Sequence, residues 1–388
     1  MYQPLTGIRI LDLSRLVPGP YLTQLLVDLG AEVIKIETTT AGDYARFVPA
    51  EMGLGKMFEM INQGKKSVAI NYRNLRGRDV LLRLASTADV ILESFRPGAA
   101  TRLKIDYDAM KAVKPDIIYC ALSGYGQEGP YRNRAGHDLN YAAASGALAL
   151  NAAQGQPPIP FGVTVADLSG AMLAGIAILG ALVGRNNGGP GAYLDIALFD
   201  GILSWMAPLA GAAFFDNLPV TGGSLALQGG LACYNIYETA DGKYLALGAL
   251  EPTFWSDFCK ITGRNDLLSR QFDRTIQKDV ASIFKQRILD AWVEAFSASD
   301  GCVEPVISFE EMLSHPQVNA RDFVRTENGL PAGLNSPFVF AHGPKRAVPK
   351  LGEHTNAVLE DIFSQQELQE LTSAGVIGKR ENRKNMQE

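Results

Sequence analysis

The chain has 388 residues, 47% hydrophobic and 20% charged, with a formal net charge of −5 and a pI near 5.6. That length exceeds what one core ordinarily fills, so two domains are expected. The acidic balance gives no bulk attraction to nucleic acid or to an anionic membrane, and any anionic ligand must be held by local basic groups. Cys120, Cys233, Cys259 and Cys302 are far apart, without the spacing of a zinc site, and read as free thiols in a reducing compartment. The N-terminus, MYQPLTGIRILDLS, lacks the basic-then-apolar order of a signal peptide. The most apolar run, 171–183, is 13 residues long and reads as a buried helix rather than a membrane span, so a cytoplasmic location is expected.

In chain order, IRILDLS (8–14) reads as a strand, PYLTQLLVDLGA (20–31) as a helix and AEVIKIE (31–37) as a second strand. Strand-like VAINY, a helix over Leu75 to Ser86, strand-like ADVILESF (88–95), a helix over Tyr107 to Val113 and strand-like DIIYCALS (116–123) continue the alternation. This predicts an α/β fold with a Rossmann-like parallel sheet in a large domain. From Leu139 to Leu209 the sequence turns Ala/Gly/Leu-rich and reads as apolar helices, interrupted by GRNNGGPGAY (184–193). YETADGKYLALGAL (237–250) reads as a hairpin turning at Asp241-Gly242, followed by a helix from Pro252 and a strand at CVEPVIS. We therefore expect a large domain over 1–210, completed by 335–388, and a smaller α+β domain over 225–325, with linkers at 211–224 and 326–334. A last helix is expected over Asn356 to Phe363, before a charged tail, GKRENRKNMQE, expected to fray.

SGYGQEGP contains a literal G-x-G-x-x-G at Gly124, Gly126 and Gly129, after a strand. Pro130, Asn133 and Gly136 stand where a dinucleotide-binding helix would open, and no acid ends a strand about 20 residues on. The loop is better read as backbone that approaches a ligand closely, with Gly126 at its centre. It leads to His137, one of only four histidines. A lone histidine is usually structural, but this one follows a glycine-bounded turn, and a second titratable group occupies an equally odd place. Asp167, in FGVTVADLSGAML, is the only acid between Asp138 and Asp195. With Thr164 as N-cap it falls in the first turn of an apolar helix, where it could serve simply as a capping carboxylate. Burial there would instead raise its pKa and make it a proton donor beside a histidine acceptor. Arg46, Arg73 and Arg96 recur at strand ends and loops. Most surface arginines are merely solvated, yet if some converge beside the glycine loop they suit a phosphorylated handle such as coenzyme A. No G-x-S-x-G, H-E-x-x-H or clustered histidine ligands occur, so a serine elbow and a catalytic metal are not expected.

PLTGIRILDLSRLVPGPYLTQLLVDLGAEVIKIE, GDYAR, INQGKKSVAINYR, ADVILESFRPG and SGYGQEGPYRNRAGHDLNY together resemble the class III CoA-transferase (CaiB/BaiF) family, from about Leu5 to Val376. GHDLNY, GALEPTFW and CVEPV are most similar to its α-methylacyl-CoA racemase branch. The resemblance implies an interlocked homodimer, an acyl-CoA substrate with coenzyme A as part of it, and no prosthetic group. It assigns His137 as a base, Asp167 as its acid partner 30 residues on, and Glu251 as a hydrogen-bonding support for the histidine. Asp138 and Tyr141 match neighbours of the site, and Arg46, Arg73 and Arg96 match positions near the coenzyme A phosphates and adenosine. One departure points toward the transferases: Val163 stands four residues before Asp167, where racemases of this type often have Asn. Two enzymatic readings follow, racemisation through an enolate, or CoA transfer through an acyl anhydride on Asp167. A third is a non-catalytic CoA-binding protein.

Overall fold

The computed structural model describes residues 2–344 and 346–379. Its main sheet has six strands: β1 (Arg9–Asp12), β2 (Glu32–Glu37), β3 (Lys66–Ala69), β4 (Val90–Glu93), β5 (Ile118–Ser123) and β6 (Ala192–Ala197). They lie in the order β3-β2-β1-β4-β5-β6, and every pair is parallel. The expected Rossmann-like sheet is therefore present. β4 and β5 are buried along their whole length, which is why they read as nearly continuous apolar runs rather than alternating ones.

β6 was not anticipated. It sits at the sheet edge with its residues only partly covered, so AYLDIA carries neither a buried run nor a strong contrast with the apolar helices flanking it. The helix before it, Val165–Asn186, has 22 residues, longer than the 13-residue apolar run inside it, and by length and composition alone it could cross a bilayer. Its small residues Ala166, Ser169, Gly170 and Ala174 are buried, and it packs on β5, β6 and the helices Pro18–Asp28 and Leu198–Ser204.

Side chains on successive strand residues face opposite ways. Leu11, Ile34, Ile36, Val68, Ile91 and Tyr119 join one core cluster with Leu81 and Leu84 of the Leu75–Ala85 helix. The alternate positions Asp12, Lys35 and Glu37 lie on the other face and are buried there too, which places charge inside the protein. The C-terminal segment closes the first cluster with Leu368, Leu371 and Ile377. Gly378 N–H donates to Ala69 O at 3.0 Å and Asn71 N–H to Val376 O at 2.8 Å. The last helices are Thr355–Leu359 and Gln365–Ser373, the second unanticipated although Ser364 and Glu367 form a capping box legible in SQQE. The charged tail lies outside the described residues from position 380 onward.

The chain divides into two compact units, one of Met1–Ser145, Val163–Trp205 and Ala320–Glu388, the other of Gly146–Gly162 and Met206–Asn319. The second unit contains an antiparallel sheet of β7 (Tyr234–Glu238), β8 (Tyr244–Gly248) and β9 (Val303–Pro305), in the order β7-β8-β9. The expected turn at Asp241-Gly242 connects the first two, with Gly242 at φ +77°. Its core holds Trp255, Phe258, Phe284 and Trp292, and both indole N–H groups find carbonyl acceptors at 2.9 Å. In the first unit, β10 (Val324–Glu327) and β11 (Leu330–Leu334) form a hairpin over part of the stretch expected as a linker. Its turn is Asn328-Gly329, both at positive φ, a signal visible in the sequence.

Leu11 is fully buried in the strand at the centre of this sheet, so Leu11→Ala should cost about 2–5 kcal/mol of unfolding free energy. Leu75→Ala, at a site 71% exposed, should cost less than about 0.5 kcal/mol, both read from urea denaturation.

Candidate active site

Strand order reverses between β1 and β4, and open parallel sheets bind ligands outside the carboxyl ends of strands at such a point. A cleft of ≈ 420 Å³ opens there. The β1 end contributes Arg15, Leu16 and Pro18, the β4 end Ser94 to Pro97, and the β5 end Leu122 to Tyr125. Arg15 N–H donates to Ser94 Oγ at 3.3 Å and joins the first two of these loops. Tyr44, Arg132, Arg134 to His137, Tyr141, Asp167 and Leu198 complete the wall. His137 and Asp167, 30 residues apart in sequence, thus share one cavity.

His137 is the N-cap of the Asp138–Ala144 helix and its backbone N–H donates to Asn140 Oδ1 at 3.0 Å, which fixes where the exposed imidazole starts. Asp167 lies in the first turn of the Val165–Asn186 helix. Thr164 is the N-cap residue as expected, but its side chain makes no capping bond. Asp138 does that work from the neighbouring helix: its Oδ1 accepts from Ala166 N–H at 2.6 Å and Asp167 N–H at 3.1 Å. A full carboxylate charge at a helix N-terminus is favoured over a neutral hydroxyl, because it meets both the free N–H groups and the helix dipole.

Burial, and then the Asp138 charge beside it, push the Asp167 carboxyl up to about 7. Asp167 is therefore able to hold or release a proton near neutrality, as the sequence suggested it would if buried. Tyr141 is pushed up to about 12 by burial and by Asp167, so its phenol stays protonated and donates to Gly136 O at 2.6 Å. The Tyr141 ring lies against Gly124 and Gly136: a Cβ at Gly124 would stand 2.4 Å from its hydroxyl, and one at Gly136 2.8 Å from Cε1. Those two glycines are required by Tyr141. Tyr125 meets the same ring edge to face at 5.0 Å.

The other expected residues divide. Arg96 lines the cleft, and Asp138 and Tyr141 act as just described. Gly126, at φ +86°, belongs to a turn whose next N–H, on Gln127, donates to Asp195, and it is not part of the cleft wall. Arg46 is held away from the cleft by a two-pronged pair with Glu37 at 2.8 and 2.7 Å, by Pro349 O at 3.0 Å and by the Phe58 ring at 3.7 Å. Arg73 is exposed and outside the cleft wall, and Glu251 belongs to the second unit, as the N-cap residue of its Pro252–Thr262 helix. Sequence reading missed Arg15, Arg132, Arg134 and Tyr44. The two later arginines sit in YRNR, between the glycine loop and His137, which was the available signal. Among the described residues, none of Arg15, Arg96, Arg132 and Arg134 has a carboxylate oxygen within 4.0 Å, so four guanidinium groups without an ion-pair partner line this cleft. Ser123, also in the wall, has a buried hydroxyl with no hydrogen-bond partner.

The raised carboxyl has a stability consequence. Ionising Asp167 is harder in the folded chain than in the unfolded one, so a penalty appears above the ordinary aspartate value of 3.8 and grows until about pH 7. Asp167→Asn escapes it. The melting temperature of the variant relative to the parent should rise by several degrees between pH 4.5 and 7.5 and level off above; a constant difference would mean that Asp167 is not shifted.

The sequence profile of CoA-transferase family III matches residues 5–355. An acyl-CoA transferase of Fusarium pseudograminearum is 33% identical, over 92% of this chain and 84% of its own. The α-methylacyl-CoA racemase of Homo sapiens is 31% identical, over 96% of this chain and 97% of its own. The crystal structure of a CaiB/BaiF family protein from Brucella suis superposes with a TM-score of 0.80 at 27% identity, over 94% of this chain and all of the other. Sequence profile, relatives and fold agree: the chain belongs to CoA-transferase family III, whose members include both racemases and CoA-transferases.

Proposed function

We propose that this protein is an α-methylacyl-CoA racemase, acting on 2-methyl-branched acyl-CoA thioesters. The observation that carries this reading is one cleft in which a histidine accompanies an aspartate poised near neutral pH. A thioester acidifies the hydrogen on its α-carbon because the electron pair left behind delocalises onto the carbonyl oxygen. Neutral His137 removes that proton from one face and leaves an enolate; protonated Asp167 returns a proton to the opposite face, and the reverse reaction exchanges the roles. A catalytic pKa near the working pH serves both directions. The N–H groups of Ala166 and Asp167 are occupied by Asp138, so the donors that stabilise the enolate oxygen come from the glycine loop or the Ser123 hydroxyl. The unpaired arginines hold the phosphates of coenzyme A.

CoA transfer is the second reading, favoured by Val163, which is 62% exposed and offers no amide to support Asp167. Here the Asp167 carboxylate would attack the thioester carbonyl, expel CoA thiolate and form an acyl anhydride.

The functional unit we propose is an interlocked homodimer, in which Glu251 orients the His137 imidazole across the subunit boundary. Large apolar side chains left open on a single chain support it, among them Ile176 at 69% and Phe215 at 87% exposure.

Deuterium uptake at the α-carbon of a 2-methylacyl-CoA in D2O tests the chemistry. The parent should exchange, and His137→Ala should lose about 10²–10⁴-fold. Equal exchange by His137→Ala would sink the racemase reading, and hydroxylamine-trapped acyl-Asp167 with CoA passed to a free acid would establish the other. Sedimentation should give twice the chain mass of 41.9 kDa, and a monomer active at that mass would remove the dimer.

A further inference from the structure

A buried charge network lies behind the cleft at the ends of β1 and β2. Asp12, Lys35, Asp43 and Lys65 are at most 2% exposed. Lys35 Nζ lies 2.9 Å from Asp43 Oδ2 and donates to Ser14 O at 3.1 Å. Lys65 Nζ donates to Thr23 Oγ1, Asn62 Oδ1 and Pro20 O at 2.7 to 2.9 Å, with Asp12 Oδ2 at 3.4 Å. Desolvation offsets most of what such ion pairs contribute to stability, so their net stabilisation does not by itself account for burying so many.

What Asp43 holds suggests an account. Its Oδ1 accepts from Leu16 N–H at 3.1 Å and from Ala45 N–H at 2.9 Å. Leu16 follows Arg15 in the β1 loop, and Ala45 follows Tyr44 in the short turn that ends at Phe47; Arg15, Leu16 and Tyr44 all line the cleft. The Arg15 guanidinium lies 5.0 Å from the Tyr44 ring centre, so the two walls touch at the residues next to those Asp43 binds. Leu16 is at φ +64°, a left-handed backbone that a branched residue seldom adopts, and it needs an external hold to stay there. Asp43 and Lys35 themselves are absent from the cleft wall.

We infer that Asp43, anchored by Lys35, is a positioning residue for the anionic handle of the substrate: it ties the Arg15–Leu16 loop to the Tyr44 turn so that the Arg15 guanidinium is preset for a phosphate. This rests on the reading of the cleft as an acyl-CoA site. Preorganised donors bind without first having to be ordered, so the expected loss is in affinity rather than in chemistry.

Free coenzyme A is the probe, titrated calorimetrically against the full chain, with melting temperature measured in parallel. Asp43→Ala should raise its Kd about ten- to a hundredfold, as for one charge-assisted hydrogen-bond donor misplaced, and raise KM for the acyl-CoA similarly while kcat stays within about twofold. Asp43→Asn keeps an acceptor oxygen and should recover part of the affinity. Because Asp43→Ala leaves Lys35 buried without its partner and could fail to fold, the double variant Lys35→Met with Asp43→Ala removes both charges and should show the same weakened binding. Wild-type Kd in these variants with only a lowered melting temperature would mean a purely structural role and overturns the inference. Failure of the parent to bind coenzyme A would overturn the acyl-CoA reading and this inference with it.

Discussion

One carboxylate, that of Asp138, sets the position and the charge of the candidate site. It accepts from two N–H groups at the start of the Val165–Asn186 helix while standing at the start of its own, directly after His137. Two helix N-termini are thereby locked together, one presenting the histidine and the other the aspartate. The same negative charge also resists ionisation of Asp167. A hydroxyl cap such as Thr164 could have ended the helix without either effect. The site therefore gets its geometry from this one interaction, which also adds to the proton affinity that burial gives Asp167, and the backbone donors spent on it are unavailable to a substrate.

The surroundings follow the same economy of fixed acids and aromatic rings. Asp43 joins two loops by accepting from their N–H groups, and Glu37 takes the Arg46 guanidinium together with the Ser67 hydroxyl at 2.6 Å. Arg46 reaches Pro349 O in the C-terminal segment, so the far end of the chain is tied to the end of β2. Matching a motif position near coenzyme A did not make Arg46 available to a phosphate, because Glu37 and Phe58 already satisfy its charge and its flat face. Among the described residues, the guanidinium groups without a carboxylate partner in the cleft came from Arg15, Arg132 and Arg134, besides Arg96, although Arg15 lies over the Tyr44 ring and Arg134 over the Tyr131 ring.

Much of this was legible in the sequence, and the reasons differ by element. The first five strands and the turn at Asp241-Gly242 were readable because burial on both faces, or a glycine at positive φ in a tight turn, leaves a local signature. β6 was not, since an edge strand half open to solvent and embedded among apolar helices has no contrast to show. His137 and Asp167 stood out as titratable groups in unlikely company. The role of Asp138 could not be read, because capping a helix that begins 27 residues later is a fact of folding rather than of spacing. Gly126 drew attention as the centre of the glycine motif, but the close contacts belong to Gly124 and Gly136, whose partner, the Tyr141 ring, only the fold brings to them.

Racemisation and CoA transfer make opposite demands on one proton. An acid that returns a proton to an enolate must be neutral when the enolate forms; a nucleophile that attacks a thioester must be ionised. A carboxyl poised at about 7 supplies both forms, and the adjacent Asp138 charge biases it toward the neutral one. The phosphates of a bound coenzyme A would push the same way, but the four unpaired arginines oppose them, so binding need not carry Asp167 far from that balance. What then separates the two chemistries is the company of the carboxyl. A nucleophile needs no second base beside it, whereas proton transfer at one carbon from two faces needs a group on each side, and His137 lines this cleft together with Asp167.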